Sequence, residues 1–271
     1  MNIETISKEK ERSIEQILTP NKSNSIIGAK DNPNVNENID QEDSSSGYFT
    51  YPNSKPYCRG RIHQVAFYLT IIMYIVLMCT LRINKIYLSL YFASQVLLYG
   101  ISGTYHTKKW KTRESEKLFQ KLDHSSIFLL IAGTQTCVIA AINEVNIGGT
   151  SNILLYLPIS YILAILGMLK VFFIQNIPKS VNVSYYIVHG ASVIIFVPIE
   201  YVKKELPLFV FSIFGGVSYI IGGIIYGTKK PDPWPKTFGF HEIFHTLTVI
   251  GNTFFMLTIV WADYKAGRMI G

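Results

Sequence analysis

Two histidines four residues apart carry the most specific chemical signal in this chain. His241 and His245, in the segment HEIFH, lie one turn apart on one face of any helix that holds them. Both can therefore reach one ligand. Ser102 and His106 repeat that spacing in SGTYH, and Asp123 opens the segment DHSS. Three imidazoles (His106, His241 and His245) with an oxygen donor match a four-coordinate zinc site that keeps one position open or water-filled. Iron, nickel and copper fit the same ligand set. HEIFH also fits the H-E-x-x-H pattern of zinc proteases, with Glu242 as general base. No third ligand follows at the usual distance downstream. Plainer readings exist for each residue. The histidines could be interfacial hydrogen-bonding groups. Asp123 could favour a helix N-terminus, and Ser102 could bond its own helix backbone. His63, His124 and His189 read as structural.

These residues fall where apolar runs begin or end. Of 271 residues, 49% are hydrophobic and 16% charged, against about 25% charged in a soluble domain. Mean hydropathy is +0.25. Such a chain is neither an ordinary soluble enzyme nor globally disordered. Apolar runs cover about 62–81, 86–106, 123–143, 152–174, 181–199, 206–227 and 239–262. Roughly 20 apolar residues in a helix cross about 30 Å of hydrocarbon. Open strands would leave backbone groups unsatisfied there, and the runs lack the alternation of barrel strands. The expected fold is an all-α membrane protein, a seven-transmembrane-helix bundle over 56–271. A polar tail, 1–55, is expected to be disordered.

Lysine and arginine set the orientation. With the N-terminus in the cytosol, 14 basic residues near span ends face inward and 6 outward. The C-terminus then lies on the opposite side. This order places His106, Asp123, His241 and His245 at similar depth near the inner leaflet. It does not say that their helices touch. The formal charge of +7 divides into −3 for the tail and +10 for the body. No basic-aromatic interleaving accompanies that charge, so no nucleic-acid partner is expected. Cys58, Cys79 and Cys137 form no C-x-x-C, which argues against a disulfide framework or a thiolate zinc site. The N-terminus shows no apolar signal region, so the first span is expected to act as insertion signal. The plasma membrane or an internal membrane, endoplasmic reticulum or vacuole, would hold the chain.

The segments KPYCRGRIHQVAF, GISGTYH, LDHSSIFLLIAGTQT, GGVSYIIGGIIYG and PWPKTFGFHEIFHTLTVIG together resemble the hemolysin III family, within the progestin and adiponectin receptor superfamily. The resemblance covers about residues 56–262. It implies seven helices, an intracellular N-terminus and a zinc ion held by His106, His241 and His245. It implies that Asp123 holds or polarises the zinc-bound water and that Ser102 is its neighbour. Glu242 is not implied as a ligand. The chain departs from the family pattern at Gly251-Asn252-Thr253, where many relatives carry another polar residue or His, and at GTQT, where GTYTP is common. The tail matches no receptor domain.

Three functions are compatible with this pattern. Zinc lowers the pKa of bound water and polarises carbonyls, so the site could hydrolyse a lipid amide or ester. The resemblance points to a ceramide-like membrane lipid as substrate. The family name implies instead a pore-forming, haemolytic protein. A receptor-like membrane protein with structural zinc is the third.

Overall fold

A computed structural model describes residues 41–43, 48–50, 56–145, 155–174, 178–197, 203 and 205–267. The expected disorder of the tail falls almost wholly outside these. Within the tail, strands β1 (Gln41–Asp43) and β2 (Tyr48–Thr50) pair antiparallel.

Seven α-helices follow among the described residues: α1 (Arg61–Thr80), α2 (Lys85–Thr107), α3 (Arg113–Glu144), α4 (Tyr156–Phe173), α5 (Lys179–Ala191), α6 (Leu206–Thr228) and α7 (Phe240–Lys265). Six of them, all but α5, are long and apolar enough to cross a membrane. Their bounds follow the apolar runs within a few residues, except at α3. That helix starts ten residues before its apolar run, because Thr112 caps it, accepting from Ser115 N at 3.2 Å. Glu114 and Glu116 in its first turn favour the positive end of the helix dipole.

α5 is shorter than the run over 181–199 implied. The helix stops at Ala191 and continues as a 3-10 turn, Ser192–Phe196. The cause is tertiary. Gln135 Nε2 on α3 donates to the carbonyls of His189 (2.7 Å) and Gly190 (3.2 Å), and Ser192 Oγ donates to His189 O (2.6 Å). Carbonyls engaged this way compete with the ordinary α-helical ladder.

Each helix packs on the next in sequence, and α7 packs back on α1. α3 also touches α5 and α7, so it runs through the middle of the ring. It is accordingly the most enclosed helix, with 89% of its apolar window buried. By contrast α1, α4 and α6 turn large apolar side chains outward, among them Leu69, Ile72, Ile162, Ile165, Ile220 and Ile224. A continuous apolar face of that extent is unusual on a soluble monomer and suits lipid. At the end far from His106, Asp263 Oδ1 accepts Arg82 N (3.0 Å) and Ile83 N (2.7 Å). This bond ties the α1–α2 turn to the last turn of α7 and sets the register of both.

Small residues let α3 sit close to its neighbours. A Cβ on Gly133 would lie 2.0 Å from Ser94 Oγ and 2.6 Å from Ser94 Cβ on α2. Gly133→Ala should therefore destabilise the protein by about 1–3 kcal/mol, read as a lower melting temperature in detergent. Adding Ser94→Gly should recover much of the loss. A Gly133→Ala protein that melts like wild type would contradict this packing.

Candidate metal centre

The end of α2, a point about three turns into α3 and the beginning of α7 converge. Two glycines set the approach of α1 to α2 at this level. Gly60, at φ +78°, occupies backbone space that L side chains rarely adopt, and a Cβ there would lie 2.6 Å from His106 Cβ. A Cβ on Gly103 would lie 3.0 Å from Gln64 Cγ. Gln64 Nε2 then donates to Thr107 Oγ1 at 2.9 Å.

The start of α7 is held by Glu242. Its Oε2 accepts Gly239 N–H at 2.8 Å, closing the first turn. Its Oε1 pairs with Arg59 Nε, just before α1. Beside this pair the backbone forms a strap, with Tyr57 N donating to Lys236 O and Cys58 N to Thr237 O, each at 3.1 Å. Asp232 Oδ1 accepts Phe240 N at 3.0 Å. Helix entry is thus fixed before any ligand is considered.

His106, His241 and His245 each offer a ring nitrogen, and these atoms lie within 4.8 Å of one another. His106 Nε2 and His241 Nε2 are 3.1 Å apart. Ring centroids are separated by 4.7 Å (His106–His241), 5.3 Å (His106–His245) and 4.5 Å (His241–His245). Asp123 Oδ2 lies 3.7 Å from His106 Nε2. Ser102, one turn before His106, lies beside the Asp123 carboxylate. His106, His245, Asp123 and Ser102 are all buried, and His241 is partly so.

The donor set fits a metal ion. Tetrahedral zinc with Zn–N of about 2.0–2.1 Å needs ligand nitrogens about 3.3–3.4 Å apart, close to the His106–His241 separation. His106, His241 and His245 bring their rings to this point from two helices, and a cation there would offset the cost of burying them. Neutral imidazoles with a carboxylate suit a borderline cation.

All five residues singled out by spacing therefore meet: Ser102, His106, Asp123, His241 and His245. Glu242 does not join them. Both its oxygens are engaged by Gly239 and Arg59, which leaves no role as the base of a zinc protease. His189 lies elsewhere, its Nε2 3.1 Å from Ser160 O beneath α5. His124 presents its carbonyl to Tyr186 Oη at 3.0 Å.

Spacing gave no sign of several neighbours. Tyr105, Tyr186 and Tyr226 lie close enough to Asp123 to feel its charge. Tyr226 also sets its ring edge toward His241, with centroids 5.5 Å apart. His63 on α1 stacks on His245. These residues come from four helices, α1, α2, α5 and α6, so no local pattern could have exposed them.

A ring of apolar helices with three imidazoles at one end defines a class of membrane protein, and the comparisons say which. Residues 51–256 match the haemolysin-III related family, and the chain belongs to it. It is 33% identical over 175 residues to Hemolysin-3 of Bacillus cereus, covering 64% of this chain and 72% of that one. It is 28% identical over 173 residues to a Hemolysin-3 homolog of Bacillus subtilis (strain 168), covering 64% and 75%. The chain is an integral, multi-pass membrane protein.

Removing Arg59 would strand the Glu242 carboxylate, which is fully buried. Arg59→Ala should cost up to about 3–5 kcal/mol, the range for breaking a buried pair, moderated because Arg59 reaches the surface. Metal bound per chain should not change, since neither residue is placed as a ligand. Unchanged melting together with lost metal would contradict this division of roles.

Proposed function

We propose that this chain is a seven-span membrane hydrolase acting on a lipid amide, ceramide-like in chemistry, with zinc held by His106, His241 and His245. The observation that carries the reading is the buried Asp123 carboxylate 3.7 Å from His106, inside a cluster of three imidazoles. Zinc, when bound there, polarises a carbonyl oxygen and acidifies water. Asp123 Oδ2 is the atom that takes the proton from the attacking water and later returns it to the leaving amine. Ser102, beside that carboxylate, is placed to orient it. Burial of the cluster limits competing water.

Seven spans are supported by the length of the α5 segment. Thirteen α-helical residues followed by five in a 3-10 turn extend about 30 Å, because the 3-10 rise is about 2.0 Å against 1.5 Å. That equals the hydrocarbon thickness. An odd number of spans puts the termini on opposite sides. The basic residues at the α2–α3 and α6–α7 connections, including Lys108, Lys109, Lys111, Lys229 and Lys230, share the end that carries the imidazoles. By the positive-inside rule that end is cytosolic. The site then opens near the headgroups of the inner leaflet, where the amide of a sphingolipid lies.

The test is hydrolysis of a ceramide panel by the purified chain in detergent. Asp123→Asn should lower turnover by about 10²–10⁴-fold, the usual contribution of a general base, while metal content is unchanged. Retained turnover in that variant would overturn the role of Asp123. The name of the Bacillus cereus relative, Hemolysin-3, favours a second reading, in which the chain lyses membranes. Lysis of red cells by purified protein, undiminished in His245→Ala, would support it. Zinc that raises the melting temperature with no product from any lipid amide would instead mark the metal as structural.

A further inference from the structure

α1 supplies none of the three imidazoles, yet it presses a fourth against them. His63 is 2% exposed. Its ring lies parallel to that of His245, with centroids 3.8 Å apart and an interplanar angle of 11°. Tyr99 on α2 packs on it at 5.0 Å and 51°. Among the described residues, neither His63 nitrogen makes a hydrogen bond of normal geometry; the His245 backbone is the polar group that faces it. Leaving a buried polar group unsatisfied costs about 1–3 kcal/mol, and an apolar ring would fill the same space without that cost. The close contacts at Gly60 and Gly103 hold the start of α1 at this depth.

His245 needs something to hold its plane. The second torsion of an imidazole side chain is broad rather than staggered. Ligating histidines are usually fixed by a hydrogen bond from their other ring nitrogen to a carboxylate or carbonyl. Among the described residues, His245 Nδ1 finds no hydrogen-bond partner. A flat ring at 3.8 Å supplies the missing restraint. We propose that His63 is a positioning residue of the metal centre, its parallel stack fixing the plane of the His245 imidazole so that the ligand nitrogen faces the point shared with His106 and His241. This rests on the reading that the three imidazoles hold zinc. It assigns His63 orientation, not ligation.

The experiment uses the full chain in mild detergent. Zinc affinity is measured by chelator competition, and the ligand field is read from the visible absorption of the cobalt(II)-substituted protein. His63→Leu should weaken zinc binding about 10–100-fold, the usual loss when a ligand's support is removed, and should alter the cobalt bands. His63→Phe keeps a flat ring without nitrogens and should restore both. Melting of the metal-free proteins shows whether each variant folds; if His63→Leu does not, His63→Phe against wild type carries the test. Wild-type affinity and spectrum in a folded His63→Leu would overturn the proposal. So would a His63→Phe protein with weakened zinc binding, since that would place the role in the nitrogens. A wild-type chain that takes up neither zinc nor cobalt would overturn the metal reading itself and this inference with it.

Discussion

Polar groups inside a membrane bundle must find partners within the protein, and that constraint organises this molecule around the end of α2. Three imidazoles and a carboxylate lie there within a few ångströms, at the meeting of three helices. Their burial is costly unless they are paired or bound to a cation. The local architecture serves to bring them together all the same. Glycine contacts admit α1 against α2, Glu242 closes the first turn of α7, and Arg59 neutralises Glu242. None of these devices provides a ligand. They fix the end of α2 and the start of α7, which carry the three imidazoles.

The same constraint recurs deeper in the bundle. Asn252 lies two turns beyond His245 on α7. Its side chain donates to Tyr99 Oη and accepts from Tyr219 Oη, both at 2.6 Å, while Tyr91 Oη donates to its carbonyl. Gln135 gathers the carbonyls of α5 and accepts from Ser160 Oγ on α4. Asp263 holds the far turn. Each polar knot joins helices distant in sequence, so sliding one helix would strand several groups at once. With no hydrophobic driving force between helices in lipid, such bonds and close packing are what define register.

Much of this was legible in the sequence, for reasons that can be named. A run long enough to cross hydrocarbon announces itself, so α1, α2, α6 and α7 begin and end within about three residues of their apolar runs. Helix order alone predicts that His106, Asp123, His241 and His245 share one end, and the i, i+4 spacing predicts shared faces for His241 with His245 and for Ser102 with His106. The early start of α3 was hidden because its first turns are polar and lie beyond the apolar signal. The break after Ala191 was hidden because its cause, Gln135, sits 54 residues away from the carbonyl it takes. His63 reads as structural in the sequence, since a lone histidine in an apolar run carries no spacing signal; only the packing of α1 on α7 shows its ring against His245. Glu242 was ambiguous within HEIFH until its two oxygens were seen to be engaged.

The proposed chemistry depends on the three imidazoles at one end of this bundle holding a metal ion. Metal content per chain in mild detergent tests it most directly, for wild type and for His241→Ala/His245→Ala. About one zinc per wild-type chain is expected, as a single tetrahedral site requires, and none in the double variant. A well-folded wild-type chain that carries no metal, and takes none up when zinc is supplied, would contradict it.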